Sequence, residues 1–184
     1  MNWLARLFNW VPKEERKGIH LDLRVSHWMV SSPKEFPAFL RALVDLLPEG
    51  TIAYLEGGSP QEDLESFLKE KSVPELSHVE MGTICPRPRV FHLPATPENL
   101  LHLAEIAERC AEREPAIHFH VYKDNQILLE WFDAFFDPMY ISKKIPEEKI
   151  REFCKKLGTD YQINMEGVEQ TNIMERKGTR GEMR

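Results

Sequence analysis

A chain of 184 residues with 42% hydrophobic and 29% charged residues has room for one ordinary domain and the composition of a folded one. That balance excludes both a membrane-embedded bundle and a wholly disordered chain. The net charge of −6 is uneven: residues 1–18 carry four Lys/Arg against two Asp/Glu and residues 166–184 carry four of each, so 19–165 holds −8, which argues against a phosphate-backbone partner.

The chain opens with Met1–Val11, where Trp3, Leu7 and Trp10 share one helical stripe and Leu4, Phe8 and Val11 the next. Pro12 and the charged run Lys13-Glu14-Glu15-Arg16-Lys17-Gly18 follow, so residues 1–18 read as a short apolar helix and a solvated linker. From Ile19 the period changes to two. Ile19, Leu21, Leu23 and Val25 alternate with polar residues, as in a strand with one wet face.

Ser32-Pro33-Lys34-Glu35 then has the chemistry of a capping box, and Phe36, Phe39, Leu40, Leu43, Val44 and Leu47 continue at helical spacing to Pro48 and Gly50. Thr51–Glu56 reads as a strand, Gly57-Gly58 as a turn and Ser59-Pro60-Gln61-Glu62 as a second box before a helix bearing Leu64, Phe67 and Leu68. The irregular stretch Ser72–Pro88 holds one short strand near His78–Met81. Arg89–Leu93 is a strand, and Thr96-Pro97-Glu98-Asn99 starts a helix striped by Leu100, Leu103, Ala104, Ala107 and Cys110.

A hairpin, Ala116–Lys123 and Gln126–Asp133, turns at Asp124-Asn125. Met139–Ser142 leads to Ile145-Pro146-Glu147-Glu148 and a helix presenting Ile150, Phe153, Cys154 and Leu157, closed by Gly158. The apolar pattern stops after about Asn164, leaving 166–184 as a flexible polar tail. The expected architecture is a single α/β domain over 19–165, with α+β as the variant. It has a mixed sheet of about five to seven strands and about four helices mainly on one face.

The hairpin carries the sharpest constellation. A two-residue turn pairs Lys123 with Gln126, Tyr122 with Ile127, His120 with Leu129 and His118 with Trp131. One face then bears His118, His120, Tyr122, Ile127, Leu129 and Trp131, with Asp133 one step on. The other bears Ile117, Phe119, Val121, Leu128 and Phe132, interrupted by Glu130. His118, His120 and Asp133 on one surface are donor types for a divalent metal, with Asp137 as a general base for metal-assisted hydrolysis. The blander reading packs both imidazoles against Trp131 and Tyr122 on a half-exposed sheet face.

Trp131–Tyr140 sets five aromatics and two aspartates within ten residues. Trp131, Phe135, Phe136 and Tyr140, with Trp3 and Trp10, are therefore the candidate ligand or partner contacts. The competing reading is a core strand leaving the hairpin at an Asp137-Pro138 bend. Glu56-Gly57-Gly58-Ser59-Pro60 lacks the spacing and lysine of a phosphate loop.

Cys85, Cys110 and Cys154 form no Cys-x-x-Cys pair, and no Gly-x-Ser-x-Gly elbow is present. No secretory signal or spanning segment is read in the chain, so the expected address is the cytoplasm. Arg6 is the sole charge on the first helix, which favours self-packing or dimer contact there over a membrane surface. The sequence thus reads as a non-catalytic protein-interaction or small-ligand-binding module, either a homodimer or the binder of a protein partner. The alternative is the His118/His120/Asp133 hydrolase, whose divalent metal is the one cofactor the residues suggest.

Overall fold

Seven strands and four helices follow one another in a computed structural model that describes residues 18–58, 61–83, 85, 87–111 and 114–164. The expected helix over 1–11 with Trp3 and Trp10, the linker to Lys17 and the tail 166–184 lie outside the described residues. In chain order the elements are β1 (His27–Val30), α1 (Phe36–Leu46), β2 (Ile52–Glu56), α2 (Glu62–Lys71), β3 (Val90–Pro94), α3 (Pro97–Ala107), β4 (His118–Lys123), β5 (Gln126–Trp131), β6 (Met139–Ser142), α4 (Glu147–Leu157) and β7 (Tyr161–Asn164).

The strands form one sheet in the order β3-β2-β4-β5-β6-β1-β7, and every neighbouring pair is antiparallel. The expected mixed sheet is therefore corrected to an antiparallel one of the α+β class. The alternation of strands and helices misleads for a definite reason. β3 and β4 run the same way across α3, as do β6 and β7 across α4, but each pair leaves a slot. β2 fills the first slot and β1 the second, both antiparallel, which splits the strand–helix–strand unit.

Two expected strands fall outside the sheet. Residues 19–25 and 78–81 pair in strand fashion at one isolated parallel bridge, Ile19 with Val79. Leu21 turns inward, as its alternation implies, while Leu23 and Val25 remain 46% and 56% exposed. β1 begins two residues later, between β6 and β7, where both of its edges find partners.

The helix starts divide in the same way. Thr96 caps α3, accepting from the Asn99 amide at 3.2 Å, and Gly158 ends α4 in the left-handed region at φ 62°. The Ser32 capping box does not form: α1 starts at Phe36 behind Glu35, and Ser32 Oγ is buried without a partner. A helix begun at Pro33 would carry Pro37 at its fifth position, where the missing N–H would break the intrahelical hydrogen bond to the Pro33 carbonyl. Starting at Phe36 places Pro37 in the first turn. α2 likewise starts behind Gln61 with no side-chain cap.

All four helices pack on one face of the sheet, through residues such as Phe39, Leu43, Leu64, Leu103 and Phe153 against Trp28, Leu55, Val121 and Trp131. Phe39 is central, with ring centroids 5.2 Å from Phe119 and 4.8 Å from Trp131. Each such buried side chain stabilises the fold by roughly 1.5–3 kcal/mol. Among the described residues the opposite face has no helix. It carries a smaller cluster of Ile52, Tyr54, Tyr122 and Ile127 beneath Leu21 and Val79. Among the described residues no helix is long and apolar enough to cross a membrane.

Candidate functional site

The β4–β5 hairpin turns at Asp124-Asn125, with Asp124 at φ 52°, and Lys123 and Tyr122 pair with Gln126 and Ile127 as the turn demands. A bulge then intervenes. Val121 pairs with Leu129, so Leu128 is the extra residue, His120 faces Glu130 and Phe119 faces Trp131. This corrects the expected faces: Leu129 and Trp131 enter the helix-side core, and Glu130 joins the histidines. The bulge turns the large indole into the core, and the apparent polar interruption of an apolar face disappears.

On the helix-free face the register pairs run His92–Tyr54–His120–Glu130–Tyr140–Met29–Gln162 across all seven strands. Glu56 and His118 pair in an adjacent row. His92, His118, His120, Glu56, Glu130, Tyr54 and Tyr122 are all buried. Two segments without regular structure, 18–25 and 72–83, lie over them as a strap. They hold each other through Ile19 N to His78 O at 2.7 Å and Glu80 N to Ile19 O at 3.1 Å.

Two carboxylates of the sheet bind the strap. Glu130 Oε1 accepts from the Leu21 amide at 2.7 Å. Glu56 accepts from the amides of Gly82 at 3.0 Å and Thr83 at 2.6 Å, and from the Tyr54 hydroxyl at 2.6 Å. Gly82 lies so close to His118 that a Cβ there would sit 2.6 Å from Nε2.

Backbone donors set the two imidazoles. The Trp131 amide donates to His120 Nδ1 at 3.3 Å and the Asp133 amide to His118 Nδ1 at 3.0 Å. Each neutral ring therefore carries its proton on Nε2. His120 stacks on Tyr54 with centroids 5.4 Å apart and meets the Phe132 edge at 4.6 Å. Its Nε2 is buried with no hydrogen-bond partner among the described residues.

Burial, with His118 adding to it, pushes the His120 pKa down to about 3. Burial raises Glu130 to about 7 despite the Leu21 amide, and it lowers His92 as well. Tyr54 is raised by burial and by the Glu56 carboxylate. Perturbed groups gathered on one face mark it as the candidate site.

The expected metal set comes apart here. His118 and His120 share the face, but Asp133 follows β5 in a left-handed turn at φ 41°, is exposed, and meets His118 through its backbone amide. Among the described residues no group of three or more His, Cys, Asp or Glu side chains is arranged to hold a metal ion. Asp137 uses its carbonyl to accept from Trp131 Nε1 at 3.0 Å.

The aromatic segment divides. Trp131 is fully buried, Phe135 packs half-buried against Trp131 and Phe36, and Tyr140 lies half-buried in the polar row. Phe136 is 72% exposed, beside Phe135 at φ 79°. Two shallow grooves, of about 480 and 290 Å³, lie between α1 and α4 and between the start of α1 and the end of α3. Neither is lined by a residue of the polar row.

Sequence reasoning missed Glu56, Tyr54 and His92 as site residues and placed Glu130 on the wrong face. The signal available was parity. Tyr54 and Glu56, like His118 and His120, sit two apart on their strand, and only the pairing order reveals that these strands are neighbours.

Fold and site together define an α+β protein whose antiparallel sheet is covered by helices on one face and by a carboxylate-bound strap over buried histidines on the other. Comparison with protein-family models, with curated proteins and with solved structures finds no match to this chain.

Proposed function

We propose that the chain is a non-catalytic small-ligand-binding module whose ligand sits on the helix-free face, held by the Nε2–H donors of His118 and His120. The observation that carries this reading is the His120 Nε2–H, a fully buried donor with no acceptor among the described residues. A ligand oxygen supplies what the donor lacks. The Glu56 carboxylate faces His118, so a negatively charged ligand is repelled and a neutral carbonyl compound is preferred.

The test is a titration with acetamide, and with acetate as the charged comparison, followed by imidazole nitrogen and Nε2-proton chemical shifts. Acetamide is expected to move the His120 signals, acetate to move them less, and His120→Phe to abolish the response. Unresponsive signals, with an ordered water on His120 Nε2 in a crystal, would sink the reading.

One observation favours a second reading, that of a protein-interaction module. The Asp133–Asp137 loop holds two non-glycine residues at positive φ and presents Phe136 outward on a base anchored by Trp131 Nε1 and by Ala134 N to Ile117 O at 2.8 Å. Sedimentation of the full chain over a range of concentrations, with and without Phe136→Asp, tests its homodimer form. Association that persists unchanged in the variant removes Phe136 as the contact.

A further inference from the structure

We infer that the strap is a proton-linked gate, closed over the polar row while Glu130 holds a proton and lifted when Glu130 ionises. This inference rests on the ligand-site reading of that row and names its regulation. The first ground is how the strap is held. Its residues lie outside the sheet; Val73 N donates to His92 O at 2.8 Å and Ser77 Oγ to Asp124 O at 2.5 Å, but few of its apolar side chains pack downward: Ile19, Leu21, Val73 and Val79 do, while Leu23, Leu76 and Met81 face solvent. A segment with so few buried apolar contacts belongs to the part of a fold that opens locally.

The second ground is what surrounds Glu130. From β4 it faces His120, whose ring is held neutral, and from β6 it faces Tyr140. From the strap it meets the Leu21 amide and the nearby pair His20 and Glu80, which lie 3.4 Å apart. Among the described residues Glu130 forms no ion pair. Closing the strap therefore removes water from a carboxylate that has one amide donor and no bonded cation, with His20 nearby lowering its pKa and the like charge of Glu80 raising it, and burial outweighs both.

A proton on Glu130 relieves that arrangement while Oε1 still accepts from Leu21. Ionisation restores the charge, and lifting the strap returns it to water. Its pKa, raised to about 7, gives the sign: the closed form binds the proton more tightly, so closure is favoured at lower pH and weakens as pH rises through 7. The proton lost passes to solvent.

Amide hydrogen exchange of the full chain at pH 6 and pH 8, corrected for intrinsic rates, tests the gate. Opening seen at Leu21, Gly82 and Thr83 is expected to increase about tenfold from pH 6 to pH 8, with Val121 in the core unchanged. In Glu130→Gln, which keeps the acceptor for Leu21, that increase is expected to vanish. Equal protection at both pH values, an increase that survives in Glu130→Gln, or loss of protection in step at Val121 overturns the gate.

The acetamide titration separates the two ideas. A His120 response with pH-independent protection leaves the ligand site and removes the gate. A pH-dependent strap over an unresponsive His120 leaves the gate and removes the ligand.

Discussion

His120 on β4 and Glu130 on β5 face each other in register, 0% and 4% exposed, and burial displaces their titrations past each other, the imidazole falling below the carboxyl. The carboxyl is raised to about 7 and the imidazole lowered to about 3. Both therefore favour the neutral form in the folded chain.

Glu130→Gln should stabilise the protein at alkaline pH. The folded chain binds a proton on Glu130 more tightly than the unfolded chain does, so the stability this proton contributes is complete in acid and is lost as pH rises from the ordinary carboxylate range through about 7. Glutamine keeps an oxygen for the Leu21 amide and cannot ionise. Urea unfolding is expected to give equal stabilities near pH 4 and a variant more stable by up to about 3 kcal/mol at pH 8. A variant no more stable at pH 8 would show that Glu130 is ionised without cost.

His120→Phe tests the other member. The imidazole is neutral when folded and takes a proton when unfolded, so its contribution is complete above about pH 6.5 and is lost as pH falls toward 3. Between about pH 4.5 and 6.5 this slope and that of Glu130 oppose each other, because the folded chain keeps on Glu130 a proton that the unfolded chain keeps on histidine. Wild-type stability should be nearly level there. Phenylalanine retains the stacking on Tyr54 and Phe132, and the variant should instead lose stability as pH rises from 4.5 to 7. A level profile in the variant would remove His120 from the balance.

This pair shows where the sequence was legible and where it was not. Asp124-Asn125 marks the hairpin turn, and the turn fixes the first two pairs, because Asn and Asp tolerate the left-handed region. Nothing in Ile127-Leu128-Leu129-Glu130 marks the bulge. Three apolar residues in a row suit either parity, and the choice falls to the core, which takes Trp131. Thr96, Gly158 and the apolar stripes of the helices were legible because they act locally. The splitting of the strand–helix–strand units was not, since it depends on which distant strand fills the slot. Ile19–Val25 alternates like a strand, yet it bridges only at Val79, and sheet carboxylates, the His92 carbonyl and the hairpin turn hold the rest of the strap.

Phe39→Ala should cost about 3–5 kcal/mol, since the ring is fully buried among Phe119, Trp131 and Phe153 and its removal leaves a cavity that short helices cannot close. Phe136→Ala, at an exposed position within the aromatic segment Trp131–Tyr140, should stay within about 0.5 kcal/mol. Urea midpoints of the two variants check both values. Equal losses would mean that Phe136 contributes to the core as much as Phe39 does.

Gly82→Ala bears on the strap without touching either titrating group. A Cβ at this position would lie 2.6 Å from His118 Cδ2 and Nε2, and His118 cannot retreat, because its Nδ1 is held by the Asp133 amide and its ring by Phe132. The strap must move instead. Its two amide bonds to Glu56 lengthen or break, leaving a buried carboxylate with the Tyr54 hydroxyl as its remaining partner. The expected result is a loss of about 1–3 kcal/mol. Faster exchange at Gly82's neighbour Thr83 and readier modification of His118 by diethyl pyrocarbonate should accompany it, while Phe39 and the helix-side core stay closed. If Thr83 exchange and His118 reactivity match wild type, the strap is not seated on His118, and the buried state of the polar row must come from elsewhere in the fold.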